Sequence, residues 1–271
     1  MESFEAFRES WMGQVFLRNI VRLTKRPSYL IQADTFDVEA GDSWFQALTA
    51  NRASIEAAIP SVGRVELLNH PDQKLAGTGF LVREDVIATN RHVALAFVSR
   101  QGAGFGWLPG AGGQDVRGDI NFRAEDGAAT NDVHLITDVL HLEADPGPDI
   151  ALLRVEGVGL QPLKLAVGDP EVGDVVASIG CPWKTPQPTA ELEEAMDEIF
   201  HGIFDVKRMA PGKVTDVNGQ AVVHDCTNLV GSSGSALIDL ERGEVVGLDY
   251  GSEVENLAVP VTVLADRLSQ I

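Results

Sequence analysis

Three short segments carry residue types suited to one kind of chemistry. The first is GSSGSAL, Gly231 to Leu237, in which Ser233 has a glycine two residues before it and another directly after. A serine hydroxyl becomes a strong nucleophile when a base takes its proton. It also needs backbone N–H groups facing the oxygen that turns negative in a tetrahedral intermediate. Gly231 and Gly234 let the chain turn sharply and approach a substrate closely. The N–H groups of Gly231 and Ser233 are the candidate donors of such an oxyanion hole. The second segment is GTGFLVREDVIATNRHVA, Gly77 to Ala94, a hairpin of two apolar strands followed by Thr89-Asn90-Arg91-His92-Val93. A histidine held just after a buried strand can act as a general base. The third is GPDIALLRV, Gly147 to Val155, where Asp149 stands immediately before a buried strand. A carboxylate there can accept the other imidazole N–H, fixing the tautomer and stabilising the imidazolium. Each segment alone has a plain structural explanation: a Gly/Ser turn, a core histidine, a turn aspartate. Their occurrence together, in the order His, Asp, Ser, points to nucleophilic catalysis.

These side chains need elements to hold them. From Gly63 onward the chain reads as short strands between turn signals. GRVEL, GTGFLV, VIATN, DVHLITDVLHL and IALLRV come first; DVVASIG, KVTDV, AVVHD, SALIDL, EVVGLDYG and NLAVPV follow. Strands without alternating helices favour barrels or sandwiches over a parallel sheet. Two stretches differ: an acidic helix is expected over Thr189–Phe204, and a C-terminal helix from Val261. Residues 1–60 read as a helical extension packed on the body. Phe4, Phe7, Trp11 and Val15 recur at helical spacing, and a second helix runs from about Ser43 to Ile59, capped by Asp42 and stopped by Pro60. Trp44, Leu48, Ile55 and Ile59 would share its apolar face. The glycine-rich run QGAGFGWLPGAGG, residues 101–113, reads as a mobile surface loop, since no strand–turn–helix setting supports a phosphate cradle.

Composition narrows the partners. Forty acidic against 21 basic residues give a formal charge of −19. That field repels phosphate backbones and anionic lipid and attracts basic peptides, so no nucleic-acid and no membrane partner is expected. No run of eighteen apolar residues suggests a span, and the N-terminus lacks a signal-peptide pattern. With only Cys181 and Cys226, the chain reads as a cytoplasmic protein with free thiols. His224-Asp225-Cys226 has no second Cys or His pair at zinc-site spacing, so no metal is expected. His70, His134, His141 and His201 receive no role.

The three segments resemble the trypsin-like, chymotrypsin-fold serine peptidases over about Gly63 to Leu264. GTGF…TNRHV is similar to the G-S/T-G-F…T-x-x-H-V pattern of bacterial members, and GSSGSAL to G-N/D-S-G-G/S-P. HDCTNLVGSSGSALIDLERGEVVGLDYG with NLAVP resembles intracellular bacterial trypsin-like peptidases most. The resemblance implies an all-β fold of two six-stranded antiparallel β-barrels. The first would span 61–160 and carry His92 and Asp149; the second would span 161–271 and carry Ser233. It implies a triad in the cleft between them, acyl-enzyme hydrolysis of protein or peptide substrates, and no metal or organic cofactor. Three positions depart from the pattern. Ser232 replaces the aspartate that trypsin-type zymogens pair with a new N-terminus. Ala236 replaces a proline. Arg91, expected to face solvent, replaces a small residue before the histidine. The strand after the nucleophile lines the primary pocket in this family, which makes Asn228, Asp249, Tyr250, Gly251 and Ser252 the substrate-binding expectation. Glutamyl endopeptidases place a histidine where Asp249 stands. An unpaired carboxylate there would reverse the charge preference, toward Arg or Lys before the cut bond. The alternative is a latent peptidase-fold binding module controlled by a regulatory protein partner.

Overall fold

The computed structural model describes residues 26–102, 104–185, 190–251 and 256–271. Phe4, Phe7, Trp11 and Val15, with Thr189 and Ser252, lie outside the described residues. The described chain opens on two short strands, β1 (Tyr29–Gln32) and β2 (Thr35–Phe36), followed by helices α1 (Phe45–Ala50) and α2 (Arg52–Ala58) and a 3-10 turn at Ile59–Ser61. Trp44, Leu48, Ile55 and Ile59 are all buried, and the Asp42 carboxylate accepts the Trp44 N–H at 2.7 Å just ahead of α1.

Residues 29–36 depart from the helical reading. β1 and β2 form a hairpin through Ala33 and Asp34, whose φ values of 52° and 60° suit the tight turn that matches strand twist. Neither residue is the Gly or Asn that normally marks such a turn. β1 then pairs with a strand of the second barrel, so tertiary pairing decides the conformation.

Next come β3 (Val62–Leu68), β4 (Leu75–Arg83), β5 (Val86–Thr89), the one-turn helix α3 (Arg91–Ala94), β6 (Val98–Gln101), β7 (Gly104–Trp107), β8 (Arg117–Asn121), β9 (Val133–Leu142) and β10 (Ala151–Val155). Six of these close into a barrel in the order β10-β5-β4-β3-β8-β9. The run expected as a mobile loop instead contributes β7, paired antiparallel with β6 and anchored where Trp107 stacks on Phe97 at 6.2 Å. Its glycines hid that aromatic anchor in the sequence.

The second half contains β11 (Val175–Gly180), α4 (Ala190–Phe200), β12 (Arg208–Val217), β13 (Val222–His224), β14 (Ala236–Asp239), β15 (Val245–Gly251), β16 (Asn256–Pro260) and α5 (Val261–Leu268). Strands β11-β14-β15-β16-β13-β12 form a second antiparallel ring, closed where β12 returns to β11, with β1 and β2 extending from β12. The body is therefore two closed six-stranded antiparallel barrels.

The apolar strands read as continuous runs because both faces are buried. In β5, Ile87 enters the first barrel's interior, while Val86 and Ala88 join the core between the barrels. In β10, Ala151 and Leu153 face inward and Leu152 outward. The shared core adds Ala177 and Ile179 of β11, Ala236 and Ile238 of β14 and the apolar residues of α1 and α2. Each fully buried Leu or Ile contributes about 1.5–3 kcal/mol, so the barrels are held at one mutual position. Cleft residues borne by different barrels thereby gain fixed geometry.

Candidate active site

His92 lies in α3, just past the end of β5, and Asp149 just before β10, the strand that pairs with β5. The sheet register thus places both at the same end of the first barrel. The carboxylate accepts from His92 twice: from its backbone N–H at Oδ1, 3.0 Å, and from Nδ1 at Oδ2, 2.5 Å. A carboxylate only accepts, so Nδ1 carries the proton. Nε2 has no partner among the described residues, and 41% of the His92 side chain is exposed, which leaves that nitrogen open to a substrate. Burial works against the Asp149 charge. The His92 hydrogen bonds and imidazole, with Arg91 adding to them, nevertheless hold the carboxyl below the usual carboxylate range. Buried Asn90 donates to the Asp149 carbonyl at 2.9 Å. Arg91 does not simply point to solvent: its guanidinium donates to the Ala144 and Gly147 carbonyls, both at 3.0 Å, and ties down the loop that carries Asp149. Carbonyls two and five residues before Asp149 supply the partners, which the sequence does not advertise.

Ser233 sits in the loop before β14, and the first barrel holds that loop. Thr78 of β4 donates its N–H to the Ser233 carbonyl at 2.8 Å. A Cβ on Gly77 would lie 2.7 Å from a Val93 methyl and 2.8 Å from that carbonyl. Only a glycine lets the His92 segment and the serine loop close on the same strand. Gly234 has φ +93°, and a Cβ there would stand 1.9 Å from the Thr78 carbonyl.

The donors expected at Gly231 and Ser233 can be followed through the backbone. The Val230 carbonyl accepts the Trp183 N–H at 2.9 Å. Across a trans peptide the Gly231 N–H points the opposite way. The Gly231 carbonyl accepts the Thr78 hydroxyl at 2.7 Å. Neither the Gly231 nor the Ser233 N–H has an acceptor among the described residues. Ser232, uncharged, uses its hydroxyl locally, accepting the Leu229 N–H at 3.3 Å. From the other side, Met196 and Phe200 of α4 pack on Leu229 and Val230, so the inserted helix supports the same loop.

The expected pocket residues separate. Asn228 and Asp249 meet: the Asn228 amide donates to Asp249 Oδ2 at 3.0 Å, and the Ser178 hydroxyl donates to the same oxygen. Asp249 is 1% exposed, and its other oxygen lies 3.1 Å from His224 Nε2. The carboxylate is therefore not unpaired: Ser178 and Asn228 hold one oxygen and His224 stands beside the other. Tyr250 stands within reach of the Asp149 charge, which adds to burial in raising its phenol pKa, and Gly251 ends β15 exposed. Sequence reasoning missed His224. Its place opposite Asn256 on β16, which also pairs with β15, is set by barrel closure. Cys181 and Cys226 are both fully buried, and burial raises both thiols, Cys181 to about 11. That removes them as competing nucleophiles.

A family model of the trypsin-like peptidase domain matches residues 77–248, more than half of the chain. No curated protein matches by sequence. Among solved structures, the chain is similar to a serine endoprotease from Yersinia pestis, with a TM-score of 0.55, 19% identity, and 86% of this chain and 67% of that one covered. It is also similar to the Rv3671c protease from M. tuberculosis in its active form, with a TM-score of 0.55, 20% identity, and 89% and 92% covered. Deg5 matches with a TM-score of 0.55 and 21% identity, over 84% and 95%. At such identities these structures speak for the fold, and the family match speaks for the class: the chain belongs to the trypsin-like peptidase domain family and is a serine peptidase of chymotrypsin-like fold.

Proposed function

We propose that this peptidase cuts peptide bonds within protein or peptide substrates through an acyl-enzyme, with Ser233 as nucleophile, His92 as general base and Asp149 as its orienting partner. The double grip of Asp149 on His92, through backbone N–H and Nδ1, carries the proposal. It fixes the tautomer in which Nε2 is free to take a proton. In the first half-reaction Ser233 Oγ bonds to the substrate carbonyl carbon as its proton passes to His92 Nε2. The carbonyl oxygen becomes an oxyanion facing the Gly231 and Ser233 N–H groups. Collapse breaks the C–N bond, and His92 returns the proton to the leaving amine. Water then repeats the sequence on the acyl-serine, with His92 as base. No step calls on a metal or organic cofactor. Donors already in place lower the barrier because they need no reorganisation as charge develops, and one such donor is worth about 10²–10³ in kcat.

The acidic surface, −19 overall, favours encounter with basic substrate segments. A preference for Arg or Lys immediately before the cut bond would need charge to spare on Asp249, and the His224 contact argues against that. Peptide cleavage by wild type beside Ser233→Ala tests the activity: serine-dependent cleavage supports it, and equal cleavage by both overturns it.

A further inference from the structure

The interior of the second barrel changes character along its axis. Val176, Val222 and Ala258 fill one level. Two residues nearer the Ser233 loop, the inward-facing Ser178, His224 and Asn256 are polar and buried, with Asp249 joining them from β15, beside apolar Ala210 and Leu237, the strand partners of Ser178. Apolar side chains would fill such a level at lower cost, since a buried ion pair repays its desolvation poorly. Here the two groups are close but not hydrogen-bonded: His224 Nδ1 and Nε2 and Asp249 Oδ1 have no hydrogen-bond partner among the described residues. His224 Nε2 lies 3.1 Å from Asp249 Oδ1, off the line of an ideal hydrogen bond, so the contact is chiefly one of charge. Asp249 Oδ2 is taken by Ser178 and Asn228. Burial drives the imidazole toward neutrality, yet the Asp249 carboxylate, with Cys226 adding to it, more than offsets this and lifts its pKa to about 10.

The level lies directly under the nucleophile loop. The Asp249 carbonyl accepts the Gly234 N–H, and the Asp249 N–H donates to the Ser235 carbonyl, both at 2.9 Å. Asn228 stands three residues before Gly231. Asp249 and Asn228 thus flank the loop whose Gly231 and Ser233 amides are the candidate oxyanion donors, beside the space that the neighbouring side chain of a bound substrate would enter.

We propose that His224 is a specificity-determining residue, which neutralises Asp249 so that the enzyme takes an uncharged side chain, not Arg or Lys, before the cut bond. The proposal rests on the endopeptidase reading. A basic side chain would find both Asp249 oxygens engaged, and an acidic one would meet a carboxylate.

The test is a peptide library in which only the residue before the cut bond varies, read with wild type, Ser233→Ala, His224→Gln and the double variant His224→Gln/Asp249→Asn. Wild type should cleave after uncharged residues. His224→Gln, which leaves Asp249 unbalanced, should raise cleavage after Arg or Lys relative to uncharged residues at least tenfold. The double variant restores neutrality without the ion pair and should keep the wild-type profile; it decides the matter where the single variant does not fold. Wild-type cleavage chiefly after Arg or Lys, lost in the double variant, would overturn the proposal. So would a His224→Gln profile identical to wild type. Absence of serine-dependent cleavage in wild type would overturn the endopeptidase reading itself, a result distinct from a wrong profile.

Discussion

Thr78, on strand β4 of the first barrel, donates its backbone N–H to the carbonyl of Ser233 in the second, at 2.8 Å. Its hydroxyl donates to the Gly231 carbonyl at 2.7 Å and accepts the Cys181 N–H at 3.0 Å. Its own carbonyl accepts the Thr89 hydroxyl at 2.6 Å, three residues before His92. One residue therefore joins the His92 segment, the Ser233 loop and Gly231, whose N–H is one of the two candidate oxyanion donors. The same residue bonds across the barrel interface and braces the candidate site.

Thr78→Val keeps the shape and the backbone bond but leaves the Gly231 carbonyl and the Cys181 N–H unpaired. The expected outcome is about 1–3 kcal/mol of lost stability and a fall in kcat of roughly 10–100-fold with KM little changed, because the donors bind the transition state more than the ground state. Steady-state kinetics beside urea unfolding checks both.

Gly234→Ala forces a Cβ into the left-handed region and onto the Thr78 carbonyl, 1.9 Å away. Backbone strain of about 1–2 kcal/mol adds to a clash with main chain that cannot swing aside. Loss of activity should accompany a clear drop in unfolding midpoint. Gly127→Ala, at another left-handed glycine but with open space around it, should show only the smaller strain effect and full activity.

Asp149→Asn should lower kcat by about 10³–10⁴ through the wrong His92 tautomer while the barrels stay folded. A pH effect accompanies it. Because the folded carboxyl lies below its ordinary value, Asp149 contributes stability that is present above the unfolded pKa and lost as pH falls through the folded one. Below about pH 4, wild type should lose stability more steeply than Asp149→Asn.

The candidate catalytic segments were legible because the proposed chemistry depends on short local patterns. Glycines flank Ser233, and His92 and Asp149 each sit beside a strand end. The strands could be read for the same reason: IALLRV and VIATN are buried on both faces and so are apolar throughout. What the sequence concealed depends on tertiary contacts that local patterns do not mark. The β1–β2 hairpin turns through Ala33 and Asp34 without the glycine that usually marks such a turn. Trp107 pins a glycine-rich hairpin to Phe97, and Arg91 braces carbonyls more than fifty residues away. His224 reaches Asp249 only because β16 lies between β13 and β15. That last contact gives a close neighbour to the carboxylate on which a basic-residue preference depended.

His224 also sets an alkaline limit. Its folded pKa is raised to about 10 from 6.5, so its contribution to stability is fully present below the unfolded pKa and is lost as pH rises through the folded one. Unfolding free energies of wild type should therefore decline between about pH 6.5 and 10, and His224→Gln should be flatter across that window. Parallel curves for the two would show that the imidazole is not held charged.

The most direct test of the account is covalent labelling by a fluorophosphonate, read by intact mass and peptide mapping, on folded wild type beside Ser233→Ala. The expected result is one adduct per wild-type chain, on Ser233, and none on the variant. Labelling that persists in Ser233→Ala, or a folded wild type that stays unlabelled, would contradict the assignment of Ser233 as an activated nucleophile.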